Sequence, residues 1–111
     1  MNDCVFCNII NRTIEAKILL ETEDLIVIDD ILPKAPVHML VIPKKHILSI
    51  NHLDNQDAAL AGKMIEAAQQ MAKRSGIADK GYRLVFNVGK DGGQVIPHLH
   101  LHLLGGKKFS D

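Results

Sequence analysis

Residues 98–104 read His-Leu-His-Leu-His-Leu-Leu, with Pro97 before them and Gly105-Gly106 after. Alternation with a period of two is the β-strand period. A strand places His98, His100 and His102 on one face and the leucines on the other. A helix with the same sequence would scatter the histidines around its axis. Pro97 suits the start of a strand, where no ladder N–H is needed, and the glycine pair ends it. The leucine face can close on a core, so the histidine face has to look into something polar. Solvent-facing strand positions more commonly carry Lys, Glu or Thr. Three imidazoles in register therefore point to chemistry near neutral pH.

A chain of 111 residues is long enough for one domain, 1–111, with a single core. Its 13 basic residues balance 13 acidic ones, and nothing in that balance suggests a nucleic-acid polymer or an anionic membrane as partner. The start, Met1-Asn2-Asp3-Cys4-Val5-Phe6-Cys7, has no basic run and no long apolar run, so neither a signal peptide nor a membrane span is expected. Two cysteines do not make a disulfide scaffold, and a reducing cytoplasm is the expected location.

In chain order, Val5, Phe6, Ile9 and Ile10 have a helical spacing over residues 4–11. Cys4 and Cys7 fall on one turn there. They read either as two small packed residues or as half of a zinc site, because Cys-x-x-Cys is a common ligand pair. Residues 17–20 and 25–30 read as strands around a turn at Thr22-Glu23-Asp24, the second being a continuous apolar run. A loop follows, fixed by Pro33 and Pro36, and then a third strand from His38 to Ile42, ended by Pro43. Asp54 reads as the N-cap of a helix of about 20 residues, with Asp57 in its first turn, Lys73 and Arg74 in its last, and Gly76 beyond. Leu60, Met64, Ala67, Ala68 and Met71 give it a small apolar stripe suited to a sheet. Residues 82–88 read as a fourth strand. The turn Gly89-Lys90-Asp91-Gly92-Gly93-Gln94 joins it to the histidine strand as a hairpin and offers backbone N–H groups to an anion.

Two chemistries suit such a site. His-x-His on a strand serves as a metal pair in several hydrolases, usually with a carboxylate, and between Asp91 and Asp111 there is none. Alternatively, one histidine is a nucleophile toward phosphorus and its neighbours orient it and donate protons. Imidazole is both a good neutral nucleophile and a good leaving group. The glycine loop and Asn87 would then face the phosphoryl oxygens. The second chemistry accounts for both the loop and the histidines, and is preferred.

These residues resemble the His-x-His-x-His motif of the histidine triad (HIT) family. Asp30-Ile31 before Pro33, Ala35-Pro36-Val37-His38, Val41-Ile42-Pro43-Lys44-Lys45-His46, Gly92-Gly93-Gln94 and Gly105-Gly106 extend the resemblance, specifically to its Hint branch, over nearly the whole chain. The resemblance implies an α+β fold: a five-stranded, mainly antiparallel sheet with one long helix and a short N-terminal helix, joined into a continuous sheet in a homodimer. It implies hydrolysis of nucleoside 5′-phosphoramidates of a purine, AMP-type nucleotide through a nucleotidyl-histidine intermediate, with no cofactor required. A nucleotide-binding module with little turnover and a dinucleoside polyphosphate hydrolase are the alternatives.

By the same resemblance His100 is the nucleophile. His102 contacts the phosphate and assists the leaving group, His98 supports His100 partly through its backbone carbonyl, and His38 completes the histidine network. Asn87, Gly93, Gln94 and the amide of Val95 lie near the phosphate, and Asp30 holds the ribose. Val5, Phe6, Ile9, Ile28 and Ile31 line the base pocket. Relatives with an N-terminal cysteine pair bind structural zinc through two cysteines and two histidines, here Cys4, Cys7, His46 and His98. Two features depart from the family pattern. Val95 stands where the branch often has a polar residue, and relatives often continue well beyond the position of Gly106. Both bear on substrate preference rather than on the reaction.

Overall fold

The computed structural model describes residues 3–110; Met1, Asn2 and Asp111, which belong to the terminal stretches read above, lie outside the described residues. The elements run α1 (Val5–Ile10), β1 (Ile18–Glu21), β2 (Leu25–Asp29), β3 (Val37–Pro43), α2 (Ala58–Arg74), β4 (Tyr82–Val85) and β5 (Leu101–Gly105). They build the expected α+β architecture: one five-stranded sheet in the order β1-β2-β3-β5-β4, with every neighbouring pair antiparallel.

Strand alternation sorts the core into two layers. Leu25, Val27, Met39, Val41, Leu101 and Leu103 meet Met64, Ala67, Ala68, Met71 and Ala72 of α2 on one face. The alanines keep the helix axis close to the sheet. On the opposite face Ile26, Ile28, Leu40 and Ile42 meet Phe6 and Ile9 of α1. Both faces of β2 are covered, which is why its sequence is uninterrupted apolar rather than alternating. Gly105 ends β5 where a Cβ would run into the Ile77 side chain.

The start of α2 is built in two steps. Asp54 and Asp57 form a reciprocal capping box around a short 3₁₀ turn at Asn55–Asp57, and the α-helix proper begins at Ala58. The expected N-cap at Asp54 is therefore present, one turn ahead of the regular helix. Among the described residues no helix is long and apolar enough to cross a membrane.

The histidine strand differs from the expectation at its start. Regular pairing begins at Leu101, and His98–His100 lie outside the ladder. The cause is on the neighbouring strand. Val41 pairs with Leu101, so continuing that register puts Pro43 opposite Leu99. Pro43 has no N–H to contribute. Its carbonyl instead accepts from the His98 ring at 2.9 Å, and the Leu99 N–H turns to the Ile47 carbonyl at 2.6 Å. β4 is also shorter than expected, ending at Val85 because Phe86, Asn87 and Val88 enter the glycine loop.

Candidate functional site

The residues around the three histidines form a chain of directed hydrogen bonds, and the direction of each fixes a ring tautomer. The Lys34 backbone N–H lies 3.1 Å from His38 Nδ1, so that nitrogen accepts and the His38 proton sits on Nε2. His38 Nε2 is 2.9 Å from His102 Nδ1 and 3.3 Å from Asp30 Oδ2. His102 Nδ1 therefore accepts, which leaves its own proton on Nε2. The next ring is set from the other side. His100 Nδ1 donates to the His98 carbonyl at 2.7 Å, so His100 Nε2 is unprotonated. His98 Nε2 donates to the Pro43 carbonyl, which leaves the Nδ1 lone pair free to face elsewhere.

Burial favours the neutral form of three of these rings, His38, His98 and His102. It pushes the His102 pKa down to about 4, with the neighbouring His100 and His38 acting in the same direction. The His38 pKa is likewise lowered, chiefly by burial, with the Asp30 carboxylate opposing. Burial also lowers His98, against the hydrogen bond to Pro43. A histidine face looking into a polar space is thus only partly what the sheet provides, because His98 is 0% exposed. The Phe6 ring packs edge-on against both His98 and His100, with centroids at 5.7 and 5.1 Å.

His100 and His102 open on a largely apolar cavity of about 360 Å³. Val5, Phe6, Ile9, Ile28 and Ile31 line it, as the base-pocket reading expects, and so do Asp30, Asn87, Gly93 and Val95. Leu32, Lys34, Leu40 and Ile96 join them without having been anticipated. Leu40 was accessible to the period-two rule, since it shares a face with His38; Ile96 had no local signal. Ile31, Leu32 and Val95 are 91%, 76% and 88% exposed at this cavity, an unusual cluster of bare apolar side chains.

Gln94 and Asn87 brace the glycine loop. Gln94 Nε2 donates to the Leu48 and Ile96 carbonyls (2.7 and 3.1 Å), its Oε1 accepts from the Gly89 N–H (3.0 Å), and Asn87 Nδ2 donates to the Gly92 carbonyl (2.9 Å). The Gln94 side chain is thereby turned into the loop, away from the cavity lining. The tight return at Gly92-Gly93 excludes side chains: a Cβ on Gly92 would meet the Val88 backbone, and Gly93 has φ +80.

A second cluster lies behind His98. Cys4, Cys7, His46 and His98 bring four donor atoms within 4.8 Å of one another. The Cys4 Sγ–His98 Nδ1, Cys7 Sγ–His46 Nδ1 and Cys7 Sγ–His98 Nδ1 distances are 3.2, 3.2 and 3.6 Å, and the two Nδ1 atoms are 3.0 Å apart. Zinc bonds of about 2.3 Å to sulfur and 2.0 Å to nitrogen set tetrahedral edges of about 3.3–3.6 Å. The donor set therefore fits a small tetrahedral ion with shifts of a few tenths of an ångström. The Cys7 N–H points at Cys4 Sγ (3.4 Å), and the Pro43 carbonyl orients His98 from behind.

An antiparallel sheet carrying alternate histidines, the middle one held by a backbone carbonyl and facing an apolar cavity, defines the histidine-triad class of α+β proteins. The HIT domain family model matches residues 11–109, and the chain belongs to the HIT family. Protein HitA of Neisseria gonorrhoeae is 40% identical over 105 residues, covering 95% of this chain and 97% of that one. Among solved structures, a HIT family hydrolase from Clostridium thermocellum superposes with a TM-score of 0.96 at 44% identity, covering 100% of this chain and 96% of that one. A HIT family hydrolase from Legionella pneumophila Philadelphia 1 does so with a TM-score of 0.95 at 42% identity, covering 97% and 96%.

Proposed function

We propose that the protein hydrolyses nucleoside 5′-phosphoramidates, of the purine, AMP type, through a covalent nucleotidyl-His100 intermediate. One observation carries this reading. His100 Nδ1–H is committed to the His98 carbonyl at 2.7 Å, so Nε2 presents a lone pair in a ring that lines the cavity. A neutral imidazole held in one tautomer is an activated nucleophile that needs no further base.

The sequence of events follows from the neighbours. The base enters between α1 and the Ile28–Leu32 segment, against Val5, Phe6, Ile9 and Ile31. Asp30 has carboxylate lone pairs beyond those engaged by the Leu32 N–H and His38, and these accept from the ribose hydroxyls. His100 Nε2 attacks the α-phosphorus while the P–N bond to the leaving group breaks. His102 Nε2–H and the loop amides near Gly93 and Val95 donate to the phosphoryl oxygens as charge gathers there. Water then displaces His100 and releases AMP.

The Cys4, Cys7, His46 and His98 cluster is read as a closed structural zinc site, with no cofactor at the reacting centre. Zinc there would tie α1, which supplies the base pocket, to the segment whose carbonyl orients His100. The whole chain is read as one cytoplasmic HIT domain that pairs into a homodimer through α2 and the β4 edge.

Incubation with adenosine 5′-phosphoramidate should release AMP, and His100→Ala should lower kcat by several orders of magnitude, roughly 10⁴-fold or more, as loss of a nucleophile does. Near-normal turnover by that variant would refute the assignment. Binding of AMP without turnover by the unaltered protein would favour a binding module.

A further inference from the structure

A second cavity, of about 300 Å³, adjoins the first. Asp30, Lys34, Asn87 and His102 line both, so His102 stands on the wall between them. The strand register places this cavity on the side of His102 away from His100. His102 pairs with Val85, and the next residue on that face, Leu104, pairs with Arg83; all four are on the histidine face of the sheet, and Val85, Arg83 and Leu104 line the second cavity. With the phosphoryl group seated beside His102 in the first cavity, a leaving group that departs in line with His100 has this adjoining space to enter.

The chemistry of the walls is cationic. Lys34, Arg83 and Lys107 line the cavity against one carboxylate, Asp30, which already faces His38. Each of the five ion pairs among the described residues leaves these three cations out. Phe109 gathers two of them: the Arg83 guanidinium stands 4.6 Å and the Lys107 ammonium 5.6 Å from its ring centroid. Arg83 Nη2 also donates to the Ser110 carbonyl at 2.9 Å. Arg83 is therefore held in place beside an aromatic ring, with no carboxylate paired to it among the described residues. Guanidinium and ammonium groups so placed recognise carboxylate and phosphate oxygens.

Resting on the phosphoramidase reading above, we infer that this cavity is the leaving-group subsite and that it selects amine leaving groups carrying an oxyanion. In the reaction His100 Nε2 forms a bond to phosphorus as the P–N bond breaks. The electron pair stays on the departing nitrogen, which takes a proton from water and leaves as an amine. Water then forms the new P–O bond, the Nε2–P bond breaks, and AMP is released. Arg83, Lys107 and Lys34 hold the acidic group of the amine while this occurs.

The test compares substrates that share the P–N bond and differ in the charge of the leaving amine, the carboxylate pair also being matched in size. Adenylyl-glycine and adenylyl-glycinamide share the same P–N bond; adenylyl-phosphoethanolamine and adenylyl-ethanolamine provide the phosphate arm. In the unaltered protein, kcat/KM is expected to favour the anionic member of at least one pair by about tenfold at low salt, as for a few partly exposed charge contacts. The pair with the larger ratio identifies carboxylate or phosphate as the group held. The ratio should shrink near 1 M salt, where the screening length is about 3 Å. Arg83→Met and Lys107→Met should each move the ratio toward one, whatever their absolute rates. Ratios of one in both pairs, with turnover intact, overturn this inference alone. A preference that both substitutions leave unchanged overturns it too. No turnover of any conjugate overturns the underlying phosphoramidase reading and this inference with it.

Discussion

His38 never reaches the cavity that holds the nucleotide in the proposed reaction, yet its replacement should slow that reaction. Its ring receives the Lys34 N–H on Nδ1 and passes its own Nε2–H to His102 Nδ1 at 2.9 Å. That second bond keeps the His102 proton on Nε2, where it donates to a phosphoryl oxygen. In His38→Leu the donor disappears, and His102 Nδ1 is left unsatisfied in a largely buried place. Nothing then holds the proton on Nε2, and the fraction of rings that carry it on Nδ1 turns a lone pair toward the anionic phosphate. A hydrogen bond to a charged acceptor contributes about 1.5–3 kcal/mol. Its loss corresponds to about 10- to 150-fold in kcat/KM for adenosine 5′-phosphoramidate. Because Lys34 is exposed, water replaces the acceptor it loses, but the orphaned His102 Nδ1 costs about 1–3 kcal/mol of stability, so the rates are compared on protein shown to be folded. Nitrogen NMR of the imidazoles reads the tautomer directly and should show His102 protonated on Nε2 before the substitution and a mixture of the two tautomers after it. A folded His38→Leu protein with kcat/KM within about threefold of the parent and an unchanged His102 tautomer would refute the relay.

Gly105→Ala should destabilise the fold by about 1–3 kcal/mol in urea unfolding, because the new methyl overlaps the Ile77 side chain; an unchanged midpoint would show that Ile77 yields freely. Stability should fall as pH drops from about 6.5 toward about 4, since the unfolded chain takes protons that buried His102, lowered to about 4, and His38 refuse. The loss begins above the carboxylate range, so thermal melts at closely spaced pH values separate it from protonation of Asp57 and Glu21, whose lowered pKa values add losses only at more acid pH. Elemental analysis of tag-free protein should find about one zinc per chain, and Cys4→Ser should remove it and lower the melting temperature; metal-free, fully stable parent protein would leave the four donors as a hydrogen-bonded cluster.

What the sequence made legible was local or periodic. Alternation placed Leu101 and Leu103 on the helix face and His100 and His102 on the other, because a strand has only two faces and leucine fills one. The stripe Met64, Ala67, Ala68, Met71 was readable because a helix has one way to bury it. The glycine turn could be placed beside the histidines because hairpins join sequence neighbours. What could not be read depends on partners far apart in the chain. The ladder stops before Leu99 because of a proline on another strand, and no property of residues 98–100 encodes that. Alternation alone makes His98 one of three equivalent histidines, and only the family resemblance set it beside Cys4 and Cys7; in the fold the loss of pairing at Pro43 frees its ring to bond that carbonyl and turn Nδ1 toward the two cysteines.

The three histidines occupy three different environments along one strand direction. His98 is buried with sulfur and imidazole donors, His100 presents a lone pair to an apolar cavity, and His102 carries a proton at the border of a cationic one. A period of two supplies the common face, but the differences come from what each neighbouring segment brings to it: α1 and the Lys44–His46 turn at the first, Phe6 and the Asp30–Leu32 loop at the second, and His38, Arg83 and Phe109 at the third. Lys34, Arg83 and Lys107 belong to three separate segments and show no charge run, so their convergence is a property of the folded sheet alone. In the proposed reaction the base pocket, the nucleophile, the donor and the cationic leaving-group cavity would lie in that order along the strand. The sheet sets the order by register, so shifting β5 by one residue against β3 would lose all of it at once.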